Sequence, residues 1–207
     1  MYKDIIKPVM DRAVGALVLI ILLPILLILS IIILIHLRSF PFYVQPRPGH
    51  HGKIFYLIKF KTMKDTKNTD GDLLQDFERT TKLGRVLRKS SLDELPEIIN
   101  IVLGQMSFVG PRPLLIEYLP LYSNQQKRRH TVKPGLTGLA QVSGRNQLSW
   151  EEKFRFDINY IENISFIMDL KILLKTVLII FKTNEVNRSD QVTMTKFSGT
   201  NKRHKGQ

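Results

Sequence analysis

The sequence predicts an α+β fold that is mostly helical and that carries a membrane anchor at its N-terminus. Residues 13–37 contain no Asp, Glu, Lys or Arg, which favours a membrane-embedded helix. Residues 42–63 read as two strands joined by a turn, and several later segments repeat apolar residues at helical spacing. We therefore expect an anchor over 1–38, a globular domain over 39–185 and a polar, basic tail over 186–207.

Charge and cysteine content limit the classes of function. The formal charge is +13, which implies an anionic partner: nucleic acid, anionic lipid headgroups or a phosphorylated substrate. A nucleic-acid binder would need a recognisable motif or interleaved aromatic residues, and the sequence has neither. The chain has no cysteine, so disulfides and thiolate metal sites are excluded.

The apolar run leaves two topologies open. Its length of about 25 residues would span a bilayer as one straight helix, since about 20 suffice. Pro24 lies near the centre and removes a backbone hydrogen bond there. Basic residues flank both ends, so the positive-inside rule gives no direction. The run is either a kinked transmembrane helix or a re-entrant helix that bends at Pro24 and returns to the same face.

The second predicted strand places two lysines on one face. Side chains alternate along a strand, so Lys59 and Lys61 lie on the same side as Phe55 and Leu57. That face is either solvated or turned towards an anion. From the alternation alone, solvated lysines are the favoured interpretation.

Two adjacent carboxylates, Asp93 and Glu94, stand at what reads as the start of a helix. If Asp93 is the cap, Pro96 falls in the first turn, where no N–H donor is needed. The cap position would keep Asp93 ionised, and cations before it, such as Arg88, would lower its pKa. The alternative is an ordinary helix cap beside a solvated glutamate.

Two further stretches hold an arginine in a restricted backbone. Arg112 lies between Pro111 and Pro113, which leave it little backbone entropy to lose on binding. Residues 133–146 contain three glycines and end in Arg145 and Asn146. This stretch is either a phosphate-cradling loop or a plain glycine-rich turn. It matches neither the P-loop nor the dinucleotide fingerprint, which favours the turn.

Residues 165–181 predict an amphipathic helix that lies in the membrane surface. Lys171, Lys175 and Lys182 fall within about 40° of each other around the helix axis, and the other faces are almost wholly apolar. The alternative is a core helix with one wet stripe. Asp169 falls among the apolar faces and should therefore have a partner.

Taken together, five short motifs resemble those of the small monotopic phosphoglycosyl transferases, the bacterial sugar transferase family. The resemblance runs from Met1 to Phe197, and it is closest to the enzyme that starts bacterial N-linked protein glycosylation. The motifs are Lys-Phe-Lys-Thr-Met at 59–63, Ser-Leu-Asp-Glu-Leu at 91–95, Met-Ser-Phe-Val-Gly-Pro-Arg-Pro at 106–113, Lys-Pro-Gly-Leu-Thr-Gly at 133–138 and Gly-Arg-Asn at 144–146.

The resemblance implies a reaction and a set of site residues. A sugar phosphate would move from a UDP-sugar to polyprenyl (undecaprenyl) phosphate, with release of UMP, as the first membrane step of glycoconjugate synthesis. Asp93 matches the family's nucleophile, which forms a covalent phosphosugar intermediate, and Glu94 matches its partner. A Mg²⁺ ion held at Asp93 and Glu94 is implied. Substrate-binding roles are implied for Lys59, Arg88, Arg112, Arg145 and Asp157.

The resemblance also implies a location. The family's anchor is a re-entrant helix broken at a Ser-Pro pair, which is Leu23-Pro24 here, so the re-entrant interpretation is preferred. The domain over 39–185 would then be catalytic and would lie on the cytoplasmic face of the bacterial inner membrane, against anionic lipids and without nucleic acid. Two rival classes are a membrane-tethered nucleic-acid binder and a non-catalytic scaffold.

Overall fold

The computed structural model describes residues 1–144, 147–186 and 196–199, and for 180–186 it describes only the backbone. The prediction of a mostly helical α+β protein with a small β-hairpin is confirmed. The helices are α1 (Lys7–Leu37), α2 (Asp76–Arg79), α3 (Lys82–Lys89), α4 (Glu97–Val102), α5 (Asn124–Lys127), α6 (Leu139–Ser143), α7 (Trp150–Glu162) and α8 (Phe166–Val186). The strands are β1 (Phe42–Pro48), β2 (Ile54–Phe60), β3 (Ser107–Val109) and β4 (Gly135–Thr137).

Helix α1 contains Pro24 but has no gap in its helical structure there. Proline removes one backbone hydrogen bond, and the rest of a 31-residue helix retains its own bonds. Among the residues described, one helical segment, Tyr2–Leu37, is long and apolar enough to cross a membrane by length and composition. The expected break at Pro24 is therefore not an interruption of the helix, and the return of the chain to one face stays a prediction.

The N-terminal end of α1 is bound to the domain by buried polar contacts. Lys7 Nζ lies 2.7 Å from Asp169 Oδ2 of α8. Ser107 Oγ of β3 donates a 2.6 Å hydrogen bond to Asp11 Oδ2. Tyr160 OH donates to the other oxygen of Asp169 at 2.8 Å. The prediction that Asp169 must have a partner is confirmed.

The C-terminal half of α1 packs against the same domain through apolar side chains. Leu26 and Ile33 are buried in one cluster with Phe60 of β2 and Leu87 of α3. Both halves of α1 therefore contact one domain, although most of the large apolar side chains of the helix remain exposed.

The hairpin β1–β2 forms the wall of the site described below. The strands are antiparallel, with Tyr43 opposite Lys59 and Arg47 opposite Phe55. Phe55 and Leu57 are buried against α4, so the face of β2 that carries Lys59 points into the domain. The favoured interpretation of solvated lysines is wrong for Lys59, because sequence-distant carboxylates meet it there.

The glycine-rich stretch contains β4, which pairs in parallel with β3. A Cβ added at Gly135 would lie 2.1 Å from the backbone nitrogen of Gly110. Glycine at this position is thus required by close approach of two backbone segments. Residues 135–137 are a paired strand and residues 139–143 a helix, so the favoured plain turn is wrong for this part of the stretch, and its role in phosphate binding stays a prediction.

Helix α8 buries one side and leaves an apolar side uncovered. Ile172 is buried with Val109 and Tyr160. Exposed apolar side chains on α8 are Phe166, Ile167, Leu170, Leu174, Val177 and Leu178. An uncovered apolar side favours the helix in the membrane surface over a core helix with one wet stripe. The side chain of Lys182 lies outside the described residues.

Candidate active site

A cavity of about 1160 Å³ lies between the hairpin, α1 and the segments that hold the predicted site residues. Its charged lining residues are Arg47, Lys59, Lys61, Asp65, Asp76, Arg79, Arg88, Asp93, Glu94, Arg112, Arg129, Lys153 and Asp157. Its apolar lining includes Val18 and Leu22 of α1 and Leu136 of β4. The cavity thus joins a charged region to the side chains of the anchor helix.

Asp93 is presented by a tight turn and not by the end of a helix. Residues Leu92–Glu94 form a 3₁₀ turn after Ser91, whose φ of 57° lies in the left-handed region. Helix α4 begins at Glu97, and Pro96 occupies its N-cap position. The prediction that Asp93 caps the helix is therefore wrong. Pro96 has no N–H to satisfy, so it suits the cap position and leaves the turn before it outside the helix.

Burial raises the pKa of Asp93, and the adjacent charge of Glu94 raises it further. Lys59, Arg88 and Arg112 act in the opposite direction but do not outweigh these effects. The prediction of a lowered pKa for Asp93 is therefore wrong. The physical reason is that Lys59 and Arg112 form their ion pairs with Glu94, so Asp93 receives only their more distant field.

Glu94 is the carboxylate that the cations hold directly. Its Oε1 lies 2.6 Å from Lys59 Nζ and 2.5 Å from Arg112 Nη2. Burial alone would raise the pKa of Glu94, but Arg112 and Lys59 more than offset it and lower the pKa to about 2. Glu94 is thus ionised at neutral pH, and it orients both cations at the edge of the cavity.

Glu97 is a third acid at this place, and the sequence reasoning missed it. Its side chain is 4% exposed, and its Oε1 lies 3.0 Å from Lys59 Nζ. Burial, opposed by Lys59 and reinforced by Glu94, raises the pKa of Glu97 to about 7. The sequence does show a third carboxylate within five residues, 93–97, on a helix face otherwise assigned to the core. That pattern could have identified Glu97.

Two arginines in the cavity have no carboxylate partner among the described residues. Arg88 Nε donates a 2.9 Å hydrogen bond to Thr62 Oγ1. Arg47 Nη2 donates to the neutral side chain of Gln45 at 2.6 Å. The sequence reasoning identified Arg88 but not Arg47. Strand alternation was the available signal, because Arg47 shares the inner face of β1 with Tyr43.

Asp157 lines the cavity as one partner of a buried ion pair. Arg129 donates to its Oδ2 from Nε at 3.0 Å and from Nη2 at 2.9 Å. Arg129 Nη2 also donates to the backbone carbonyl of Arg112 at 2.7 Å. Burial raises the pKa of Asp157, and Arg129 opposes that rise. The pair therefore positions the Arg112 segment, whereas direct binding of substrate by Asp157 stays a prediction.

The predicted residues Lys59, Arg88, Asp93, Glu94 and Arg112 all line the one cavity. They come from β2, α3, the 3₁₀ turn and the loop after β3, so only the tertiary fold brings them together. Arg145 and Asn146 lie outside the described residues, and the predicted role of Arg145 stays a prediction.

The donor set at the acid pair is compatible with Mg²⁺ only if a substrate completes it. No group of three or more His, Cys, Asp or Glu side chains in the part of the chain described is placed to hold a metal ion. Glu94 is already engaged by two cations, while Asp93 has no ion-pair partner within the described residues. Mg²⁺ commonly takes one or two protein carboxylates and fills its remaining positions with phosphate oxygens and water. Asp93, with Glu94 behind it, fits that pattern.

The chain is similar to known proteins over most of its length. The profile of the family described as bacterial sugar transferase matches residues 2–183. The chain is 52% identical over 159 residues to the uncharacterized sugar transferase EpsL of Bacillus subtilis, covering 77% of this chain and 79% of that protein. It is 37% identical over 157 residues to the undecaprenyl-phosphate galactose phosphotransferase of Salmonella typhimurium, covering 68% of this chain and 33% of that protein.

A third relative is the UDP-glucose:undecaprenyl-phosphate glucose-1-phosphate transferase of Klebsiella pneumoniae. It is 37% identical over 183 residues, which cover 84% of this chain and 39% of that protein. The chain thus spans most of its Bacillus relative and between a third and two fifths of the other two.

The chain belongs to the bacterial sugar transferase family. The predictions of that family and of a phosphoglycosyl transferase enzyme are confirmed. The finer resemblance to the enzyme that starts N-linked glycosylation stays a prediction.

Proposed function

We propose that this enzyme transfers a sugar phosphate from a UDP-sugar to undecaprenyl phosphate, through a phosphosugar bound covalently to Asp93. The observation that carries the proposal is the placement of Asp93: a carboxylate without an ion-pair partner among the described residues, in a cavity lined by cations. The names of the Salmonella and Klebsiella relatives, which specify sugar-phosphate transfer to undecaprenyl phosphate, support the substrate classes.

In the first step, an oxygen of Asp93 attacks the sugar-bearing phosphorus of the UDP-sugar. The bond from that phosphorus to the bridging oxygen breaks, and UMP leaves with the bond's electron pair. In the second step, a phosphate oxygen of the lipid attacks the same phosphorus and displaces Asp93. The products are an undecaprenyl diphosphate sugar and the free enzyme.

The surroundings of Asp93 suit a nucleophile. A carboxylate whose charge is poorly stabilised by its environment donates electrons more readily than one held in ion pairs. Glu94 is the opposite case, because Lys59 and Arg112 hold it directly. We assign attack to Asp93, and we assign to Glu94 the orientation of the two cations.

The cations offset the negative charge of the phosphates. Arg88 and Arg112 line the cavity near Asp93 and would stabilise charge that develops on the phosphate oxygens. Asp93 and Glu94 would hold Mg²⁺ together with phosphate oxygens of the substrate, and the bound ion would supply positive charge to that region.

The apolar wall of the cavity supports a lipid acceptor. Val18 and Leu22 of α1 line it together with Phe108, Leu136 and Ala140. A polyprenyl chain that leaves the membrane beside α1 would meet these side chains first. Its phosphate would then lie towards the charged region.

The contacts of α1 support a single-face topology. Lys7 and Asp11 bind Asp169 and Ser107, while Leu26 and Ile33 of the same helix pack on the same domain. If the two ends of α1 lay on opposite sides of a bilayer, Lys7 and Asp11 could not contact the domain that Leu26 and Ile33 also contact. We therefore propose a re-entrant α1, with the domain on the cytoplasmic face of the bacterial inner membrane.

Mass spectrometry tests the nucleophile. Wild-type enzyme incubated with Mg²⁺ and UDP-galactose or UDP-glucose, without lipid acceptor, should release UMP and gain one phosphosugar on the peptide that contains Asp93. Asp93→Asn should do neither, whereas Asp70→Asn in the exposed loop should behave as wild type. Turnover that proceeds without any adduct, and that requires both substrates bound together, would replace this mechanism by direct attack of the lipid phosphate.

A further inference from the structure

Arg47 lies on the inner face of the hairpin and lines the cavity. It is opposite Phe55, whose side chain is buried, so the β1 side chains at this register point into the domain. Tyr43 and Gln45 precede it on the same face and also line the cavity. Arg47 is therefore part of the cavity wall and not of the outer surface of the hairpin.

The hydrogen bonds of Arg47 to the described residues reach no negatively charged group. Nη2 donates to Gln45 Oε1 at 2.6 Å, and this acceptor is neutral. Nε is buried and has no hydrogen-bond partner among the residues that the structure describes. Burial lowers the pKa of Arg47, and the like charge of Arg112 lowers it further. A guanidinium does not deprotonate under ordinary conditions, so the site holds two positive groups close together.

The other arginines of the cavity show why Arg47 differs from most of them. Arg79 pairs with Asp76, Arg112 with Glu94 and Arg129 with Asp157. Within the residues described, Arg47 and Arg88 are the arginines of the cavity wall that no carboxylate pairs. A buried or half-buried cation without a counter-ion is costly, and a bound anion removes that cost.

Arg47 and Arg88 lie on opposite sides of Lys59. Arg47 is opposite Phe55, four residues from Lys59 and so about 13 Å along the strand. Arg88 is held by Thr62, three residues beyond Lys59 in the other direction along the chain. Lys59 itself binds Glu94, which follows Asp93. The two arginines without a carboxylate partner among the described residues thus lie on opposite sides of Lys59 along the hairpin.

We propose that Arg47 binds a phosphate group of one of the two substrates, on the opposite side of Lys59 from Arg88. This rests on the proposed function, in which two phosphate-bearing molecules react in turn at Asp93. The occupant is either the diphosphate of the sugar nucleotide or the monophosphate of the lipid. A guanidinium suits both, because it donates two parallel hydrogen bonds to phosphate oxygens.

Steady-state and half-reaction kinetics of Arg47→Gln distinguish the two sources. If Arg47 binds the donor, the second-order rate constant for single-turnover UMP release without lipid should be at least tenfold below wild type. If it binds the acceptor, that half-reaction should be unchanged, and kcat/KM for undecaprenyl phosphate should fall at least tenfold. Arg47→Lys should lose less, because a lysine keeps the charge but not the two parallel donors.

A matched control separates these effects from loss of folding. Lys53 is an exposed cation of the same hairpin that does not line the cavity, so Lys53→Gln should match wild type. Thermal melting of each variant reports whether the hairpin still folds. Values of kcat/KM within twofold of wild type for both substrates, in a folded Arg47→Gln variant, would overturn the proposal.

Failure of the proposed function gives a different result. It would appear as a wild-type enzyme that releases no UMP from any UDP-sugar tested. In that case, calorimetric titration of wild type and Arg47→Gln with UDP decides the matter for Arg47. Weaker binding of UDP by the variant would support a phosphate site at Arg47. Equal affinity of the two proteins would show that Arg47 binds no phosphate of UDP.

Discussion

Substitution of Asp157 by asparagine should destabilise the fold strongly. The side chains of Asp157 and Arg129 are 6% and 3% exposed, and two hydrogen bonds join them. Asparagine keeps the shape but removes the negative charge, so Arg129 is left buried and uncompensated. Breaking such a pair costs about 3–5 kcal/mol. For a chain of this size each kcal/mol lowers the melting temperature by about 2–4 °C, so we expect a fall of about 6–20 °C.

A second acid of α7 provides the control. Glu162 Oε1 lies 2.9 Å from Arg128 Nη2, but the two side chains are about half exposed. Solvent screens such a pair, which typically contributes no more than about 1 kcal/mol. Glu162→Gln should therefore lower the melting temperature by no more than about 4 °C.

A double variant tests whether the loss comes from the unpaired charge. Replacing both partners by apolar residues, Asp157→Leu with Arg129→Met, removes the buried charge altogether. It should melt above Asp157→Asn, although it loses the bond from Arg129 to the carbonyl of Arg112, worth about 1 kcal/mol. The assay is thermal or urea unfolding in detergent micelles. A melting temperature of Asp157→Asn within 2 °C of wild type would refute the reasoning. A double variant that melts below Asp157→Asn would refute it as well.

Two further predictions concern topology and pH. A cysteine introduced at Lys3, in a chain without native cysteine, should react with a membrane-impermeant reagent only from the cytoplasmic side, and labelling from the periplasm would contradict a re-entrant α1. The fold raises the pKa of Glu97 from 4.5 to about 7. Between these two pH values the folded state binds more protons than the unfolded state, so the free energy of unfolding should fall as the pH rises. Glu97→Gln should remove this pH dependence, which melting temperatures at pH 5 and pH 7 measure. An equal decrease in melting temperature in wild type and variant would contradict a raised pKa at Glu97.

Local patterns in the sequence were sufficient for much of the architecture. The uncharged run predicted α1, and strand alternation placed Lys59 beside Phe55 and Leu57 on one face of the hairpin. The isolated charge of Asp169 indicated that a partner must exist. These predictions succeeded because helix and strand periodicity depend on residues a few positions apart. The resemblance also predicted the acid pair and two of the five arginines that line the cavity in the described part of the chain, Arg88 and Arg112.

The tertiary structure alone decided which charges meet. Lys59 and Glu94 are separated by 35 residues, Arg129 and Asp157 by 28, and Lys7 and Asp169 by 162. The raised pKa of Asp93 depends first on its burial and then on the charge of Glu94, which itself pairs with Lys59 and Arg112, and no local pattern shows either. The roles of Glu97 and Arg47 likewise depend on contacts across the fold. Ion pairing and burial are set by distances in space, and the order of residues along the chain does not determine those distances.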